Sequence, residues 1–207
     1  MPSSLPSNRF TRGLTGLVDV LTLACGWWLI GLALMTCVEM VGRKLLKFSL
    51  QGVDEIGAYT FAVVSTIGFS YALITRGHTR VDFLVSRFSA PVRAALNFTA
   101  VITLTAIAVF GAYRAYRVLA ETIDLGSTAA SPLATPLWIP QSLWVIAFAL
   151  FAVVTLVTAA YACKLFAAKA WPELNKRFGP QTLSEEIESE TMLHVERDFP
   201  TRAGTAT

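Results

Sequence analysis

The chain has 207 residues, of which 54% are hydrophobic and only 15% charged, and its mean hydropathy is +0.56. That balance excludes an ordinary soluble domain and makes lipid the expected solvent. The net charge of +3 is small and no basic stripe with interleaved aromatics occurs, so nucleic acid is excluded as a partner class.

After a short tail, residues 1–13, come four windows almost free of charge: 20–38, 56–75, 94–113 and 142–163. Each holds roughly the 20 residues a helix needs to cross the hydrocarbon core at about 1.5 Å per residue. The runs are continuous and too long for barrel strands, so helices, which satisfy their own backbone amides in lipid, are expected. The reading is an all-α membrane protein with a membrane domain over 14–165 and a polar tail over 166–207.

The first run follows Arg9 and Arg12 as a secretory signal would, but it is longer than a signal's apolar stretch and ends in TCVEMVGR without an A-x-A site. It reads as an uncleaved span. Asp19 and Glu39 fall at its two ends, where Asp19 suits the helix dipole and Glu39 has Arg43 four residues on as a partner. Trp27 and Trp28 lie near its middle, away from the usual interfacial belt, and either a protein neighbour or lipid accounts for them.

Next comes RKLLKFSLQGVDEIG, whose Leu46, Leu50 and Val53 recur at i, i+4, i+7, with Lys44 and Lys47 placed to snorkel. This predicts a short amphipathic helix in the interface plane; a helical extension of the first span is the alternative. The second span carries Ala58, Ala62, Thr66 and Ser70 four apart, a stripe of small residues that favours close helix packing. It ends in ITRGHTRVDFLVSRF, a charged turn that holds His78.

Between the third and fourth spans, ETIDLGSTAASPLATPLW reads as an extracytoplasmic loop, with Trp138 marking the return to the membrane and Trp171 the opposite face. Beyond Pro172 the chain is polar, and a mobile tail is expected there. Lysines and arginines divide 12 against 5 between the two sides, which places both termini in the cytoplasm.

Candidate chemistry is sparse. Cys25, Cys37 and Cys163 lack the spacing of a zinc or redox pair. Neither His78 nor His194 lies inside a span, which argues against haem, and Asp82 is the only carboxylate near His78. No nucleophile elbow, zincin motif or phosphate-cradling loop occurs, so no catalytic residue, metal or cofactor is assigned. Spans without buried charge also make a poor stand-alone transporter. An accessory membrane subunit remains, with a membrane anchor or assembly factor for another inner-membrane complex as the alternative.

The stretch RGHTRVDFL, with His78, Arg80 and Asp82, is similar to the G-H-I-R-V-D signature of the small membrane subunit, the DctQ type, of tripartite ATP-independent periplasmic (TRAP) transporters. Arg43 after the first span, the acidic pair Asp54 and Glu55, the run GFSYAL and the L-W-I-P motif follow the same order. The resemblance covers about residues 14–163; where family members commonly have Trp before the acidic pair, this chain has Gly52 and Val53. It implies a small permease subunit in a bacterial inner membrane, among membrane lipids, partnered by a large membrane subunit with the sodium and substrate sites. A periplasmic binding protein would deliver the solute, typically a carboxylate. Asp82 and Arg80 are expected to organise the cytoplasmic turn. Asp82→Ala should therefore lower the yield of the complex on co-purification more than it changes the substrate affinity of the complex that survives.

Overall fold

The computed structural model describes residues 8–47, 52–75, 88–131 and 133–179. The elements are α1 (Arg9–Val41), a π-helical turn (Gly42–Leu46), α2 (Val53–Ile74), α3 (Ala90–Leu125), α4 (Trp138–Ala167) and a short α5 (Trp171–Phe178). Four of these helices are long and apolar enough to cross a membrane, and no strand occurs among the described residues.

Local chemistry sets the helix ends. At the start of α1 the Thr11 hydroxyl accepts from the Asn8 amide and donates to the Asn8 carbonyl, both at 2.9 Å. Ser89 in extended conformation precedes α3 and Pro91 occupies its first turn, where a missing N–H costs nothing. Gly126 closes α3 at φ 59°, and Ser127 N–H reaches back to Thr122 O at 3.1 Å. Lys169 adopts the same left-handed conformation after α4, with Ala170 N–H donating to Leu165 O at 3.1 Å.

In space the spans lie in the order α1, α2, α4, α3, with α5 laid across the end of α3. The most extensive contact joins α3 to α4. On α3 the buried Ala94, Val101, Ala108 and Ala115 repeat every seven residues; α4 presents Phe148 over Gly111, the Thr155 carbonyl to Thr105, and Ala159 and Ala162 in one cluster with Ala94 and Val101. Small side chains let the two backbones approach, which matters because lipid supplies no hydrophobic drive for helix association. Thr105 bonds Val101 O at 2.8 Å and also Thr155 O on α4 at 3.2 Å.

One core cluster joins Leu14 and Val18 of α1 and Leu73 and Ile74 of α2 to Ala108, Phe151 and Val154. Higher up, Trp28 Nε1 donates to Thr60 Oγ1 at 2.9 Å and fastens α1 to α2. A second cluster seats Leu174 and Phe178 of α5 against Ala94, Val101, Ala162 and Leu165. Asn175 locks it, accepting from Asn97 Nδ2 at 3.1 Å and donating to Ala90 O at 3.0 Å.

Three features differ in extent from the sequence reading. The helices outrun the uncharged windows: α1 has 33 residues and α3 has 36. At 1.5 Å per residue these are roughly 50 Å long, against a hydrocarbon core of about 30 Å. Charged residues such as Arg114, Arg117 and Glu121 continue α3 beyond that core, because a helix needs no apolar side chains once it has left lipid. Within the polar segment after residue 165, residues 171–178 form a docked helix. The expected interfacial helix is not displayed by the described residues: Gly42–Leu46 continues the first span, Val53 opens α2 with its side chain buried, and 48–51 lie outside the described residues.

The α3–α4 seam leaves no room for a larger side chain. Ala108→Leu, at a site 1% exposed, should destabilise the bundle by about 1–3 kcal/mol, read as a lower thermal midpoint of the purified protein. Ile107→Leu, at the neighbouring site 62% exposed, should leave that midpoint unchanged.

Candidate functional site

His78, Arg80 and Asp82 lie outside the described residues. The remaining positions fall where α1 ends and α2 begins, and along α2. Arg43, in the π-helical turn, pairs with Glu39 one turn earlier, and the Glu39 side chain is nearly enclosed at 7% exposure. The spacing i, i+4 on a continuous helix brings the two together.

Asp54 and Glu55 occupy the first turn of α2, where negative charge complements the helix dipole. Their surroundings differ. Asp54 is exposed, whereas Glu55 accepts a hydrogen bond from Tyr59 Oη at 2.8 Å and a second from Ser131 Oγ in the α3–α4 connection. That connection is a closed loop: Leu137 N–H donates to Ser127 O at 3.2 Å, Ala129 N–H donates to Thr135 O at 2.9 Å, and Thr128 bridges Pro136. Glu55 thus ties the tip of the loop to the start of α2.

Gly52 completes this clamp. It precedes α2 at φ 100°, a conformation L side chains rarely adopt, and a Cβ there would lie 2.3 Å from Leu133 Cδ1. The Gly-Val pair ahead of the acidic residues therefore has a local reason, since the loop folds directly over it.

The small-residue stripe divides along α2. Ala58 is exposed and Ala62 half-buried, while Thr66 and Ser70 are 2% and 0% exposed. Thr66 Oγ1 donates to Ala62 O at 2.8 Å; Ser70 Oγ is buried without a hydrogen-bond partner among the described residues. Near this end Phe69 meets Phe151 of α4, with ring centroids 5.8 Å apart. The lower half of the stripe thus serves packing within the chain.

The sequence reading did not single out the outer face of α1. Of its 33 residues only Thr11, Leu14, Val18 and Glu39 are buried, and Leu23, Trp27, Trp28, Ile30 and Leu34 stand exposed. Trp27 walls an open groove of about 760 Å³ between α1 and α2. Among the described residues no cluster of three or more metal-ligating side chains occurs.

Glu55→Gln and Ser131→Ala should each speed amide hydrogen exchange severalfold at Ala129 and Leu137, while Asp54→Asn leaves it unchanged. Gly52→Ala should loosen the same loop, and adding Leu133→Ala should restore only part of the loss, because the positive φ remains.

A search of curated proteins finds no match. The family model described as tripartite ATP-independent periplasmic transporters, DctQ component, matches residues 32–165. That segment runs from the upper half of α1 through α2, α3 and almost all of α4, and it takes in the Glu39–Arg43 pair, the Glu55 clamp and the stretch RGHTRVDFL. The chain belongs to the DctQ family, the small permease component of TRAP transporters.

Proposed function

We propose that this chain is the fixed scaffold of its transporter, holding the large membrane subunit while that subunit performs sodium-coupled uptake. The solute is of carboxylate type and is delivered by a periplasmic binding protein. The observation that carries the reading is the continuity of the spans: α1, α2, α3 and α4 are each an unbroken helix over a stretch long and apolar enough to cross a membrane. Transport sites are typically built from discontinuous helices whose ends face the substrate, and coupling requires polar groups at the midplane. The seam of small residues between α3 and α4 supports a rigid element over a rocking one.

Both termini, and the turn carrying His78, Arg80 and Asp82, are cytoplasmic in this reading, following the 12 to 5 division of lysine and arginine. The Glu55 clamp and the loop over residues 127–137 then face the periplasm, on the side from which the binding protein approaches. The membrane is the bacterial inner membrane.

Reconstitution tests the role. Vesicles holding this chain, the large subunit and the binding protein should take up solute down a sodium gradient, and omitting this chain should abolish uptake. Uptake by this chain alone, or undiminished uptake without it, would overturn the proposal.

A further inference from the structure

The groove between α1 and α2 holds a carboxylate that has no partner among the described residues. Its lining includes Thr15, Asp19, Thr22, Gly26, Trp27 and Tyr71. On α1 the positions 15, 19, 22 and 26 follow one another at helical spacing, so they form one face. Thr15 Oγ1 is already committed to Thr11 O at 2.9 Å. Thr22 Oγ1 is buried with no hydrogen-bond partner, and Asp19 has neither an ion-pair nor a hydrogen-bond partner among the described residues. Two polar groups three residues apart, one of them formally charged, are thus without partners among the described residues, on a helix that is otherwise apolar from Val20 to Leu34.

We infer that this groove receives an apolar helix of the large membrane subunit, and that a lysine or arginine on that helix binds Asp19 and Thr22 together. The inference rests on the scaffold reading above and names the surface that performs it. A cationic side chain supplies several donors at once, so one group satisfies both a carboxylate and a hydroxyl. Gly26 has no atom within 4 Å of where its Cβ would lie, which leaves room for a close backbone approach. Trp27, 68% exposed, would gain a protein surface to lie against.

Charge order favours a protein over a phospholipid as the occupant. Arg12 lies seven residues before Asp19, two turns further out on the same face. A phospholipid with its phosphate at Arg12 would set only ester oxygens and acyl chain, acceptors or apolar groups, against Asp19 roughly 10 Å further in. A basic side chain from a neighbouring helix meets no such conflict.

The chain is co-expressed with its large subunit, and the large subunit recovered per copy of this chain is measured. Asp19→Asn should lower recovery at least fivefold, Asp19→Glu should retain most of it, and Asp124→Asn, an exposed carboxylate at the far end of α3, should have no effect. Membrane levels of each variant separate loss of docking from loss of folding. A benzophenone amino acid at position 23 in the otherwise unchanged chain should crosslink to the large subunit. Undiminished recovery with Asp19→Asn, or crosslinking at position 23 to phospholipid alone while the subunits still co-purify, would overturn the inference and leave the scaffold reading standing. Failure of the unaltered chains to co-purify would remove both.

Discussion

Close approach between α3 and α4 is the constraint on which the rest of the bundle depends. In lipid, helices gain little from hiding apolar surface, so association rests on packing contact and on hydrogen bonds between helices. Ala94, Val101, Ala108 and Gly111 on one helix, and Thr155, Ala159 and Ala162 on the other, are small enough to make that contact close. Thr105 adds a bond across the seam to the Thr155 carbonyl. The remaining elements attach to this pair: α2 lies against α4, α5 closes one end, and the Ser127–Leu137 loop turns back over α2.

This arrangement divides the molecule into a tightly packed side and an open one. On the packed side α5 is bound through both Leu174 and the Asn97–Asn175–Ala90 chain of hydrogen bonds. On the open side α1 touches its own bundle mainly through Leu14, Val18 and the Trp28–Thr60 bond. A helix so weakly covered by its own chain is suited to an external partner, and a rigid body behind it is what a scaffold requires.

Much of the architecture was legible in the sequence because lipid imposes a simple rule: a span must be long, apolar and helical. The four windows at 20–38, 56–75, 94–113 and 142–163 all lie within helices apart from Thr75, the residue that ends α2. Helix ends were less legible, because Arg114, Arg117 and Glu121 continue α3 beyond the membrane without any change in backbone. The docking of α5 depends on partners about 80 residues earlier, Asn97 and Ala90, which no local pattern announces. The seam was readable in principle. Ala94, Val101, Ala108 and Ala115 recur every seven residues, whereas the stripe of α2, the more regular pattern in the sequence, has only Thr66 and Ser70 deeply buried.

The same holds for the site residues. Glu39 with Arg43 followed from helical spacing alone, whereas the separate duties of Asp54 and Glu55 required the loop that brings Ser131 to one of them. The open groove at Asp19 depends on how α1 leans on α2, and a carboxylate at the edge of an uncharged window, here ten residues inside α1, gives no hint of it.

The central claim is that this subunit stays still while its partner moves. Spin labels at Phe110 on α3 and Leu34 on α1, both exposed, would report their separation by pulsed electron resonance in the complete complex, without and with sodium and solute. The account predicts one unchanged distance distribution throughout the cycle. A second distance that appears on adding sodium and solute would contradict it, because the bundle would then be part of the moving machinery.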